Sequence, residues 1–215
     1  TQVITGHYTL PDKPIKVVYR SDSSGTTENF TNYLNKSAPT VWTKAKAAVF
    51  TTSFPGNINA PENLGRIVGA SSSTGVSQLA GKTPYSVTFA EVNYAVANKL
   101  KVAHVINPAG NAVEPNSVNT SAFLAQAEMN ANGIMTFDYA TKAAGAYPIT
   151  AVSYAMANTS ANTNAANTAA KMATAQRFVN YVLDTCAPAV GELKGYAALP
   201  ANIVAIAKTL AAKIK

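Results

Sequence analysis

The chain has 215 residues, of which only 13% are charged, and a net charge of +7. That length supports one or two domains with a sizeable core, and no apolar run in it is long enough to cross a bilayer as a helix. Its basic residues are scattered, with one mild cluster at Lys208, Lys213 and Lys215, so there is no basic stripe or aromatic platform of the kind that binds nucleic acid.

Thr1–Gly6 reads as the tail of an element that begins upstream, and His7–Pro14 as a polar lead-in. Ile15 to Tyr19 is apolar and β-branched and predicts a strand. Arg20-Ser21-Asp22-Ser23-Ser24-Gly25-Thr26-Thr27 follows as a tight polar loop, and Phe30, Tyr33 and Leu34, at i, i+3 and i+4, predict an amphipathic helix beyond it. The first amides of a helix lack intrahelical partners and carry partial positive charge, which suits an anion. Here the hydroxyls of Ser23, Ser24, Thr26 and Thr27 and the Arg20 guanidinium would add side-chain donors. Gly25 permits close approach of the backbone, and Asp22 is placed to hold Arg20. Helix capping alone would explain one of these hydroxyls, but not four together with a glycine and an arginine directly after a strand.

Pro39 ends the first helix, and Trp42 is expected to pack near its C-terminus. Phe54 to Pro61 is a Pro/Gly/Asn loop. Ser71-Ser72-Ser73-Thr74-Gly75 forms a second polar loop opening a short helix at Val76–Ala80, equally readable as a plain surface loop or a ligand loop. Ser86–Val92 alternates as a strand, Asn93–Leu100 reads as a helix, Val102–Ile106 as a strand, and Asn107-Pro108-Ala109-Gly110-Asn111 as a turn. A helix is predicted over 119–130 with Phe123, Leu124 and Ala127 on one face, and a strand over 149–156. The Asn/Thr/Ala-rich segment 158–167 reads as a surface loop. A helix over 168–185 should bury Met172, Phe178, Val179, Val182 and Leu183. Pro200 opens a last helix with the stripe Ile203, Ile206, Ala207, Leu210 and Ile214. Strands alternating with helices indicate an α/β fold. Cys186, the single cysteine, rules out a disulfide within the chain.

The run from Ile15 to Leu34 resembles the signature of the phosphate-binding proteins of phosphate-specific ABC transporters. Trp42, Phe89-Ala90-Glu91-Val92-Asn93-Tyr94-Ala95, Tyr147-Pro148-Ile149-Thr150 and Gly195-Tyr196-Ala197-Ala198-Leu199-Pro200 agree in order. The resemblance implies a two-lobed Venus-flytrap fold of the periplasmic-binding-protein type, one lobe incomplete in this chain. Residues 1–148 would form the lobe carrying the anion loop, and 149–215 a crossover strand and C-terminal helices of the other. It implies phosphate contacts from Arg20, Ser24, Gly25 and Thr26, with Asp22 in support. It also implies delivery of inorganic phosphate to an ABC permease from a periplasmic or extracellular position, with a cell-surface anchor as one form of the latter. No cofactor or metal is implied. Two departures stand out. Ligand groups that the family carries in an N-terminal stretch would precede Thr1, so the chain is expected either to pair with such a segment or to self-associate. A Gly-Tyr pair common in the family is Thr88-Phe89 here.

Catalysis finds little support. Nucleophilic chemistry needs a base beside the nucleophile, and the two histidines, His7 and His104, stand in no recognisable motif. Ser24 lacks the G-x-S-x-G elbow, and no Walker lysine occurs. The expectation is therefore a non-enzyme. An extracellular structural or adhesive assembly subunit reusing the same fold is the alternative, and fold alone does not decide between them.

Overall fold

The computed structural model describes residues 11–159 and 168–214; most of the segment 158–167 thus lies outside the described residues. The first half is organised on a three-stranded parallel sheet. Strand β1 (Lys16–Arg20) lies between β2 (Ile67–Ala70) and β3 (Ser86–Thr88). Val18 stands opposite Val68 on one side and Thr88 on the other. As the middle of a central parallel strand it is buried completely, which is why this run is continuously apolar rather than alternating.

Each strand runs into a helix. β1 leads to α1 (Gly25–Ser37), which stops at Ala38 just before Pro39. The short α2 (Phe50–Ser53) follows it, β2 leads directly to α3 (Ser72–Lys82), and β3 to α4 (Val92–Ala97). Helix α3 covers one sheet face by packing Val76 and Ala80 on Val18, with Val68, Ala70 and Leu100 around them. Tyr19, next along β1, points the opposite way. It stacks on Phe50 at 4.7 Å, and Phe50 in turn meets Phe54, Trp42 and Phe89.

Helix α1 does not bury the face its aromatic spacing suggested. Thr27 and Thr31 are fully buried, while Phe30, Tyr33 and Leu34 are half-buried. The reason is the segment 42–48, which is stitched along α1 by polar bonds. Asn35 donates to the Trp42 and Lys44 carbonyls, the Ala47 amide donates to Thr31 Oγ1, and the Ser24 amide donates to the Ala48 carbonyl. Trp42 packs just past the helix end, as expected, and donates from Nε1 to Ser53 Oγ at 3.0 Å.

The second half contains two hairpins, β4/β5 (Val105–Ile106 and Ala112–Val113) and β6/β7 (Glu128–Met129 and Met135–Thr136). The predicted turn at 107–111 closes the first, with Gly110 at φ +87°. The helix expected over 119–130 is α5 (Ser117–Leu124) and stops early, because 128–129 is drawn into β6. The 149–156 run forms no strand. It has no ladder partner among the described residues, and Tyr154 and Met156 are exposed.

Helix α6 (Ala169–Tyr181) continues through a π turn (Val182–Cys186) into α7 (Ala187–Val190). The Ala187 amide reaches back five residues to the Val182 carbonyl. The wider turn comes immediately before Pro188, which has no N–H and would otherwise crowd the preceding turn. Of the five residues expected to be buried here, only Met172 is. Val179, Val182 and Leu183 are half-buried and Phe178 is 65% exposed. Periodicity alone misjudged how far this face is covered.

The last helix, α8 (Ala201–Ala211), follows Pro200 as expected. Its Ile203 joins Leu124, Ala127 and Met135 in a second core, flanked by Phe137, Val152 and Leu199. This core draws on both sides of position 148. The Gly195 turn, at φ +79°, packs against α4: a Cβ there would stand 3.2 Å from Val92 Cγ1.

Candidate anion site

Three parallel strands that each feed a helix bring three loops to one edge of the sheet. In open α/β sheets, ligands are held outside the carboxyl ends of the strands. The loops here are 21–24, Ser71 and 89–91.

Arg20 is the last residue of β1, and its side chain is 11% exposed. Its Nε donates to Asp22 Oδ1 at 2.8 Å and its Nη2 to Asp22 Oδ2, a two-point fork. Nη1 donates to Ser73 Oγ at 3.0 Å. Of the five guanidinium N–H groups, two therefore remain for another acceptor. Asp22 is held in turn. Its Oδ1 also accepts from the Ser72 amide at 3.0 Å. Ser72 adopts φ +64°, a strained conformation for a residue with a side chain, in doing so. The Arg20 fork and then the Ser72 amide keep the Asp22 carboxyl well below the usual carboxylate range.

Ser24 is the N-cap of α1. Its Oγ accepts from the Thr26 amide at 3.1 Å and the Thr27 amide at 3.4 Å. Both lone pairs are engaged and its own proton is left to give away. Replacing Ser24 with alanine is expected to cost about 1 kcal/mol of stability through loss of this cap. A chemical denaturation midpoint that does not move would show the cap to be redundant. The space in front of the neighbouring backbone is open: a Cβ built on Gly25 meets nothing within 4 Å.

The sequence grouped four hydroxyls, and the structure separates them. Thr27 is fully buried, with its Oγ1 lacking a partner among the described residues, so it faces the core and not the site. Ser23 is exposed. Thr26 does lie at the site, but its hydroxyl is already engaged, donating to Glu91 Oε1 at 2.9 Å.

Glu91 and Ser73 are the two site residues that sequence reasoning did not single out. Glu91 lies in the landmark after β3, and Ser73 in the second polar loop. Burial pushes the Glu91 carboxyl up. The Ser73 hydroxyl, Glu91's own backbone, the Thr26 hydroxyl and the charge of Arg20 together outweigh that and hold it below its ordinary value. Two polar links therefore cross the loops: Asp22–Arg20–Ser73 joins the first to the second, and Thr26–Glu91 joins the first to the third.

The PBP superfamily domain matches residues 5–185. The chain belongs to the PBP superfamily. A phosphate-binding protein, PstS, of Methanocaldococcus jannaschii is 39% identical over 106 residues, covering 49% of this chain and 26% of that protein. PstS3 of Mycobacterium bovis is 33% identical over 71% of this chain and 40% of its own length, and PstS of Xylella fastidiosa 32% identical over 67% and 37%. The PBP domain thus spans well under half the length of these relatives. Among solved structures, a DING protein and a human phosphate binding apolipoprotein each superpose with a TM-score of 0.59 at 23% identity. Each covers 92% of this chain and 58% of the other. Those two superpositions establish the α/β periplasmic-binding fold of this PBP domain.

Proposed function

We propose that this chain binds inorganic phosphate at the loop formed by Arg20, Ser24, Gly25 and Thr26, with Asp22 orienting Arg20. The single observation that carries this reading is the Arg20 side chain. It is nearly buried, held on two points by Asp22 and on a third by Ser73, with two N–H groups left over. Relatives named as phosphate-binding proteins support the identity of the anion.

The chemistry follows from the donors. The phosphate oxygens would take the two spare N–H groups of Arg20, the Ser24 hydroxyl and the Gly25 amide between them. Hydrogen bonds to a charged partner contribute about 1.5–3 kcal/mol each. Asp22 serves as a brace and not as a ligand, since a carboxylate facing the anion would repel it unless a proton were shared. No bond is made or broken, in keeping with relatives named as binding proteins rather than enzymes.

The wider role we propose is that of the substrate-binding component of an ABC-type phosphate uptake system. It would act in the periplasm or outside the cell and hand phosphate to a permease. The chain would contribute to two lobes, 1–148 and 149–215, with the core around Ile203 as the surface on which those two segments meet. The names of the relatives favour phosphate binding over an assembly subunit. The test is titration calorimetry of the chain with inorganic phosphate, alongside its thermal midpoint in about 10 mM phosphate, because a ligand that binds only the native state raises that midpoint. Saturable heat and a raised midpoint are expected. The absence of both heat and a shift would overturn the proposal.

A further inference from the structure

The first two residues of α3 grip the two halves of the Arg20–Asp22 pair. The Ser72 amide donates to Asp22 Oδ1 at 3.0 Å, across 50 positions of sequence, and Ser73 Oγ accepts from Arg20 Nη1 at 3.0 Å, across 53. Both contacts have a cost. Ser72 stands at φ +64°, one of three non-glycine residues at positive φ among those described, and its Oγ is fixed in turn by the Gly75 amide at 3.2 Å. A conformation of that kind persists only where the surroundings impose it, and such positions gather where a site has to be held in shape. Ser73 is 7% exposed, and its hydroxyl occupies one N–H of Arg20 that an anion could otherwise use.

We propose that Ser73, with the Ser72 amide beside it, is a positioning residue of the anion site: it touches no ligand and acts by fixing the orientation of the Arg20 guanidinium. This rests on the phosphate reading above. The fork to Asp22 alone would let the guanidinium swing together with that carboxylate, since both sit on rotatable side chains. The bond from Nη1 to Ser73 stops the swing on the arginine side, and the Ser72 amide stops it on the aspartate side. With three of five N–H groups held, the remaining two keep one direction. A donor fixed in advance loses less freedom when the anion arrives, and binding gains by that difference.

Counting donors alone makes the opposite forecast. If Ser73 only occupied an N–H group, Ser73→Ala would free a third donor for the anion, and phosphate would bind more tightly. If Ser73 positions Arg20, the same substitution loosens the guanidinium and phosphate binds less tightly. The coupling is also reciprocal. An anion that needs the brace holds the brace closed, so the Ser72 amide should open to solvent less often when phosphate is bound.

The experiment is calorimetric titration of the chain with inorganic phosphate, comparing wild type, Ser73→Ala and Ser73→Cys, with circular dichroism to show that each is folded. It is paired with hydrogen exchange at the wild-type Ser72 amide, with and without phosphate. Cysteine fills nearly the same space and replaces the hydroxyl by a weak acceptor, so it carries the affinity test if the alanine variant does not fold. The exchange measurement carries the test if neither does. The expected result is a fall in phosphate affinity of about threefold to tenfold in both variants, the affinity equivalent of one hydrogen bond, and slower exchange at Ser72 in phosphate. An unchanged or tighter affinity in a folded variant would overturn the positioning role and leave the phosphate site standing, as would an exchange rate at Ser72 that phosphate does not alter. A wild-type chain that binds no phosphate would remove the phosphate reading, and this proposal with it.

Discussion

Replacing Arg20 with methionine is expected to weaken phosphate binding by roughly two to four orders of magnitude. The substitution removes the two spare N–H groups, each worth about 1.5–3 kcal/mol toward a charged acceptor, and a factor of ten corresponds to about 1.4 kcal/mol. It also strips Asp22 of its guanidinium and leaves a bare carboxylate at the mouth of an anion site. Arg20→Lys should recover only part of the loss, because an ammonium restores the charge but cannot span both Asp22 oxygens and the ligand at once. Calorimetry with phosphate reads the effect directly, and circular dichroism confirms that the variant is folded. A folded methionine variant that binds within a few-fold of wild type would remove Arg20 from the site.

The second large effect concerns the core around α8. Ile203 is 1% exposed and packs with Leu124, Ala127 and Met135, so it joins the last helix to α5 and the β6/β7 hairpin. Ile203→Ala should cost about 2–5 kcal/mol, the transfer of the lost methyl groups plus the cavity they leave. In a chain of this size that lowers the thermal midpoint by roughly 4–20 °C. The same change should leave the affinity for phosphate untouched, since the loops at the sheet edge lie in the other core. A cost below about 1 kcal/mol would mean that the helix is held chiefly by its polar bonds and not by this side chain. Those bonds are Asn202 Nδ2 to the Ala125 carbonyl and Gln176 Nε2 to the Ala211 and Ile214 carbonyls.

The strand, loop and helix start of the candidate site were legible in the sequence because everything that makes them is local. A β-branched run, a capping serine, a glycine and an arginine within a dozen residues specify strand, turn and helix start without reference to the rest of the chain. The partners of that loop were not legible. Ser73 and Glu91 lie 53 and 71 positions beyond Arg20 in sequence and arrive only because β2 and β3 flank β1 in parallel. A parallel sheet gathers the ends of its strands at one edge whatever their separation along the chain. Burial was misjudged where the covering surface is polar or incomplete. Thr27 and Thr31 sit inside because hydrogen bonds tie the 42–48 segment to α1, and Phe178 sits outside because its face is only partly covered. The 149–156 run has strand composition and no strand to pair with, and composition cannot supply a partner.

The single tryptophan gives the protein a natural optical probe. Trp42 leans on Phe50 and Phe54 with ring centroids 6.0 Å away, and its indole N–H is tied to Ser53. Phe50 stacks on Tyr19, the neighbour of Arg20, and the Ala48 carbonyl holds the Ser24 amide. The whole indole emission of the chain therefore originates one layer behind the anion loop. Its wavelength and quenching follow the seating of the 42–54 segment against that loop, with no dye to attach and no second fluorophore of the same kind to subtract.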